Sequence, residues 1–123
     1  MNKENLINKF IKLKGYDLRE IEGCDLSDPS VVKRGLTKQE AIDVLKYSEQ
    51  IEVAILGGDV YFLDHNGNID MTHDNWYSDK RDDETTEEYI RRSINESKKY
   101  IGKYKNNSYK DFIILFEFVF GYS

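Results

Sequence analysis

The sequence predicts an α+β fold, with a mainly antiparallel sheet of about four strands and two to three packed helices in a single domain spanning residues 1–123. Three observations support this: apolar rows at helical spacing, β-rich segments around an Asn-Gly dipeptide, and an alternating apolar segment near the C-terminus. The chain has 123 residues, 39% of them hydrophobic and 13% aromatic, which suffices for one ordinary core. The order helix, helix, strands, helix, strand favours helices packed on a sheet.

The first half of the chain contains two predicted helices and an irregular connection. Apolar residues at three- and four-residue spacing predict a short amphipathic helix over residues 4–14. Residues 16–35 lack periodicity and predict an irregular connection. Thr37 precedes Glu40 by three residues, which is the pattern of a capping box. A second helix is therefore expected to run to about residue 48.

The middle of the chain predicts strands and a hairpin. Residues 51–56 and 59–63 are rich in β-formers, and Gly57-Gly58 between them indicates a bulge or a tight bend. Asn66-Gly67 follows the second run and precedes residues 69–72. Because both turn residues tolerate positive φ, this dipeptide predicts a hairpin with a two-residue type I′ turn.

The C-terminal part predicts a long helix and one further strand. Thr85 or Thr86 caps a helix whose apolar row continues to Tyr104. Residues 112–120 alternate between two faces, and eight of the nine positions are apolar, with Glu117 as the exception. Since an exposed edge of this composition would aggregate, we expect a central strand with both faces largely covered.

Composition limits the class of partner and the compartment. The chain carries 18 Lys and Arg against 23 Asp and Glu, a formal net charge of -5, which argues against nucleic acid and anionic membranes as partners. Cys24 is the single cysteine, so no internal disulfide is possible and a reducing cytosol is favoured. The N-terminal residues lack the apolar core of a signal peptide, and no apolar stretch is long enough to span a bilayer. We therefore expect a soluble, cytoplasmic protein.

The sequence predicts no catalytic centre, metal site or cofactor. Cys24 has none of the residues that flank thiol-protease nucleophiles, and His65 and His73 are eight residues apart without the spacing of paired metal ligands. Residues 64–70 superficially resemble a calcium loop, but no register places the required Gly and Glu correctly. Residues 56–59 lack the Lys and Ser/Thr of a phosphate loop.

The acidity is concentrated in residues 59–88, which we call the acidic segment. It contains seven Asp and three Glu against one Lys and one Arg, a net charge of -8, so the rest of the chain is at +3. It also carries Tyr61, Trp76 and Tyr77, and aromatic anchors beside carboxylates are typical of a surface that docks a basic partner. A solvated hairpin and loop with Trp76 in the core explains the same residues, and this interpretation is slightly favoured by the residues alone.

Three motifs carry a resemblance to a known family. They are ILGGDVY at residues 55–61, DNWY at residues 74–77, and EYIRRS at residues 88–93 followed by Tyr100-Ile101. In order and spacing they resemble the immunity protein 40 family of bacterial polymorphic-toxin systems, over roughly residues 36–120. The resemblance implies a cytosolic, non-enzymatic protein that binds a toxin domain delivered by a neighbouring cell. Many such toxins are basic nucleases, which an acidic protein can cover.

Within this resemblance, the expected partner-binding region comprises acidic and aromatic residues of the acidic segment. They are Asp59, Tyr61, Asp64, Asp70, Asp74, Trp76, Tyr77, Asp79, Asp82 and Asp83. Two other classes remain open. One is a general regulatory or adaptor module that uses the same surface. The other is a small hydrolase or transferase with Asp59 and Glu117 as a carboxylate pair, which a separation above about 10 Å would exclude.

Overall fold

A computed structural model describes residues 2–105 and 112–122, which form three helices and two antiparallel sheets. The prediction of an α+β fold is confirmed. The elements in chain order are α1 (Lys3–Ile11), β1 (Tyr16–Asp17), β2 (Arg34–Gly35), α2 (Lys38–Gln50), β3 (Ala54–Leu63), β4 (Ile69–Tyr77), α3 (Thr86–Lys103) and β5 (Ile113–Gly121). The strands β1 and β2 form one sheet, and the order in the other is β4-β3-β5.

The C-terminal strand lies at the edge of the three-stranded sheet, so the prediction of a central position was wrong. Its outer side is protected instead by Leu36, which exchanges two backbone hydrogen bonds with Phe116, both of 2.8 Å. The middle of β5 is buried on both faces, whereas Ile113 and Val119 near its ends are half exposed. Covered faces, and not a neighbouring strand on each side, account for its apolar composition.

The two apolar runs around Gly57-Gly58 belong to the single strand β3. The pairing with β5 shifts register between Ile55 and Gly57, which confirms the predicted bulge. A Cβ atom at Gly58 would lie 2.4 Å from the Trp76 ring and 2.5 Å from the carbonyl oxygen of Glu117. Gly58 is thus required because the indole passes directly over the backbone.

The β3–β4 hairpin is confirmed, but its turn differs from the predicted two-residue type I′ turn. The Asp64 N–H donates to the Asn68 carbonyl and the Gly67 N–H donates to the Asp64 carbonyl. Positive φ occurs at Gly67 and not at Asn66. This is a three-residue loop built on a type I turn with glycine in the left-handed position. It is favoured because the Asp64 carboxylate accepts the N–H groups of Asn66 and Asn68.

Helix starts follow the predicted caps. Thr37 and Thr85 each accept a backbone N–H three residues ahead in complete capping boxes, which settles the choice between Thr85 and Thr86. The N-terminal helix ends at Ile11, three residues earlier than predicted. Among the described residues, no helix has both the length and the apolar character needed to cross a membrane.

The core lies mainly between the helices and one face of the three-stranded sheet. Phe116 and Phe118 of β5 pack in one cluster with residues of all three helices, including Ile7, Val44 and Ile94. A smaller cluster on the opposite face contains Leu18, Tyr61 and Leu115. Because side chains alternate along a strand, Glu117 belongs to this second face.

Candidate partner-binding surface

The structure spreads the ten predicted residues over three environments. Tyr61 is buried. Asp59, Asp64 and Trp76 are half-buried. The remaining six are exposed on β4 or in the connection that follows it: Asp70, Asp74, Tyr77, Asp79, Asp82 and Asp83. Of the three predicted aromatic anchors, Tyr77 is therefore exposed, whereas Trp76 is half-buried and Tyr61 is buried.

Trp76 has the surroundings of a core residue. Its indole N–H donates to the Ser97 hydroxyl at 3.0 Å, and its ring stacks on Tyr100 with 4.6 Å between centroids. Edge contacts join it to Phe116 and Phe118. These contacts bind β4 to α3 and favour the interpretation of Trp76 as core. Tyr77, the next residue along, is 77% exposed and is the accessible aromatic of the pair.

The connection between β4 and α3 is attached to α3 by Arg92. Its guanidinium donates to the Glu84 carboxylate at 2.5 and 2.9 Å and to the Asp79 carbonyl at 2.5 Å. The hydrogen bond from Arg92 lowers the pKa of Glu84 to about 2. The Tyr89 hydroxyl adds a 2.6 Å bond to the Ser78 carbonyl. Since both ends of the connection are held, its carboxylates are presented from a defined backbone.

The exposed aspartates of this connection form no ion pairs with the described residues. Within residues 2–105 and 112–122, no ion pair involves Asp79, Asp82 or Asp83. On the adjoining strand, Asp74 accepts a hydrogen bond from the neutral Tyr104 hydroxyl at 2.6 Å, which leaves its charge in place.

Asp59 and Glu117 lie directly opposite each other on β3 and β5. Directly paired residues have Cβ atoms about 5 Å apart. Asp59 and Glu117 are therefore closer together than the separation of about 10 Å above which they could not act as a carboxylate pair. Glu117 is only 8% exposed. Burial, together with the neighbouring Glu22 carboxyl, raises the pKa of Glu117 to about 8.

These carboxylates face a cavity of about 440 Å³ between α1, residues 30–36 and β5. We call it the carboxylate cavity, after the four acidic residues Glu4, Glu22, Asp59 and Glu117 in its lining. Sequence reasoning marked Asp59 and Glu117 but missed Glu22. Glu22 comes from the irregular connection, and no periodicity or spacing relates it to either strand.

An apolar groove adjoins the carboxylate cavity on the same side of the sheet. It measures about 300 Å³ and shares Asp59 and Val119 with the cavity. The exposed side chains of Leu56 and Tyr77 complete its apolar lining, and Asp79 lies at it as well. An exposed aromatic beside aliphatic residues has the composition of an interface centre, and carboxylates next to it have that of a polar rim.

The described residues do not gather metal ligands. No group of three or more His, Cys, Asp or Glu side chains in residues 2–105 and 112–122 could hold a metal ion. His65 and His73 are exposed in the hairpin, and Cys24 is a free thiol.

A family model described as Immunity protein 40 matches residues 25–120, more than three quarters of the chain. The match includes Asp59, Glu117 and the acidic segment, and it begins just after Glu22. No curated protein and no solved structure matches the chain.

Proposed function

The chain belongs to the immunity protein 40 family, and on that premise we propose that it binds a cognate toxin domain from a neighbouring bacterial cell and neutralises it. The protein acts in the cytoplasm as a binding partner, without catalysis and without a cofactor. The observation that carries the site of this proposal is the exposed, unpaired set of carboxylates at Asp79, Asp82 and Asp83, held on a connection that Arg92 attaches to α3.

The charge distribution supports a basic toxin, such as a nuclease, as the partner. A surface with several uncompensated carboxylates attracts a cationic protein before contact and raises the association rate. Tyr77 and Leu56 add apolar contact area beside these charges. A nuclease cleft that binds phosphate is lined with Arg and Lys, so an acidic surface can cover it.

Two other classes predict different behaviour. The adjacency of Asp59 and Glu117 is compatible with a carboxylate-dependent enzyme, but an immunity family favours binding over turnover. A general adaptor would use the same acidic surface for a different protein. The gene order discriminates, because an immunity protein lies directly after a large toxin gene whereas an adaptor has no such neighbour.

The direct experiment uses the toxin domain encoded immediately upstream. We expect calorimetry to give a 1:1 complex and an activity assay to show complete loss of toxin activity at stoichiometric protein. A basic toxin domain from an unrelated system, matched in net charge, is the control and should remain active. A cognate toxin that stays fully active with excess protein and shows no binding heat would contradict the proposal.

A further inference from the structure

The carboxylate cavity is the feature of the structure whose chemistry is not yet assigned. We propose that it accepts a cationic side chain, arginine or lysine, projecting from the toxin. The inference rests on the proposed function, and it names the chemical group of the partner that this part of the surface takes.

The cavity brings several carboxyl groups together without an ion pair. Glu117 is more than nine-tenths buried and lines the cavity together with Asp59 and Glu22. In the described parts of the chain, none of these three carboxyl groups forms an ion pair. In the free protein Glu117 avoids the cost of a buried charge by holding a proton and by hydrogen bonding with Glu22 and Tyr61. An incoming cationic group would stabilise the ionised form instead.

The two cationic residues in the cavity lining are Lys33 and Arg34, and neither forms an ion pair with the described carboxyl groups of the cavity. The guanidinium of Arg34 donates to the backbone carbonyls of Lys14 at 2.7 Å and Gly15 at 2.9 Å, so these donors are used. Lys33 is near enough to lower the pKa of Glu117 by its charge, but it forms no ion pair with any described residue. A volume of about 440 Å³ is ample for one long side chain.

The position of the cavity beside the apolar groove fits an interface. Asp59 and Val119 line both features, and the exposed ring of Tyr77 lies at the groove. A partner that covers Tyr77 and Leu56 would also close the cavity to water. Because water exclusion strengthens the attraction between opposite charges, the cation would contribute most once the groove is covered.

Occupancy by a cation has a consequence for proton binding. The pKa of Glu117 is about 8 in the free protein, chiefly because the group is buried and because Glu22 and Asp59 repel its charge, while Lys33 opposes this. The buried Tyr61 hydroxyl also faces it. A cation favours the ionised carboxylate, so binding near pH 7 releases a proton. The affinity therefore rises with pH, by at most about tenfold per pH unit, and levels off above about pH 8.

The experiment measures the affinity for the purified upstream toxin domain between pH 6 and 8.5 by calorimetry, in buffers of different ionisation enthalpy so that released protons are counted. Glu117→Gln keeps the size of the side chain and removes its charge and its titration. We expect weaker binding and loss of the released proton for this variant. The matched control is Glu49→Gln on α2, an exposed residue outside the acidic segment, which should keep both the affinity and the proton count.

A second variant is available in case Glu117→Gln does not fold. Glu22→Gln alters an exposed side chain in the irregular connection, and removal of its charge lowers the pKa of Glu117, so the pH midpoint of binding should move down. If the complex forms and neither variant changes the affinity or its pH dependence, the cavity takes no cation and only this inference is overturned. If wild-type protein forms no complex, the proposed function fails and the inference fails with it.

Discussion

Single residues in this protein are constrained most tightly where Trp76 crosses β3. The indole fixes β4 on α3 through Ser97 and Tyr100, and it can lie there because residue 58 has no side chain. The family motif residues at this point are thus explained by packing. A motif that is needed for packing does not by itself locate the contact with a partner.

We expect Gly58→Ala to destabilise the protein by about 3 kcal/mol, since its methyl group would overlap the Trp76 ring and the Glu117 carbonyl. Gly102→Ala is the matched control, because the space around Gly102 in α3 is open and alanine favours a helix by about 1 kcal/mol over glycine. Chemical denaturation followed by fluorescence measures both. Equal effects of the two substitutions on stability would show that the contact of the Trp76 ring with the backbone at Gly58 does not exclude a side chain at that position.

The sequence predicts the environment of a residue well when that environment depends on neighbours in the chain. It predicts the environment poorly when it depends on residues that are distant in the chain. The bulge just before Gly57-Gly58 is predicted because glycine pairs in a strand have few explanations. Glu117 was recognised as unusual from its apolar neighbours alone. Its partner Glu22 was not, since only the folded chain brings the irregular connection over β5.

At the scale of elements, the sequence predicts helix starts correctly, but it predicts neither the turn type of the hairpin nor the position of β5 in the sheet. The capping box at Thr37 correctly predicts the start of α2, and a cap at Thr85 or Thr86 correctly predicts the start of α3, because a cap acts over about three residues. The hairpin turn was mistaken because the Asp64 side chain, which precedes the Asn-Gly pair, stabilises a longer loop. The position of β5 was mistaken because its protection comes from Leu36, far away in the chain.

The connection between β4 and α3 depends on Arg92, so Arg92→Gln should loosen it. Loss of the guanidinium removes the bonds to Glu84 and to the Asp79 carbonyl, and backbone amides of residues 79–85 should exchange hydrogen faster. Arg91→Gln is the control, since Arg91 is exposed and its ion pair with Glu87 is long, at 3.8 Å. Hydrogen exchange with mass spectrometry reads out both variants. Unchanged exchange in Arg92→Gln would mean that the Tyr89 hydroxyl suffices to hold the connection.

For the whole molecule, the formal charge of -5 is the sum of an acidic segment at -8 and a remainder at +3. The structure places much of that negative charge on one edge strand and the connection after it, while Glu84 and Glu88 are used internally in the ion pair with Arg92 and in the cap of α3. The molecule is therefore asymmetric in charge, and its asymmetry is the basis of any electrostatic steering.

We expect the triple variant Asp79→Lys, Asp82→Lys and Asp83→Lys to associate with the cognate toxin about tenfold more slowly at low salt. Its melting temperature should change little, because these exposed side chains form no ion pairs in the described structure. Stopped-flow kinetics at two ionic strengths measures the effect, which should shrink as salt screens the charges. The control reverses Asp43, Glu49 and Glu52 to Lys in and just after α2, and so changes the net charge equally at a different place. Association that slows equally in both variants would mean that net charge alone steers the toxin, and unchanged association in the first would place the interface elsewhere.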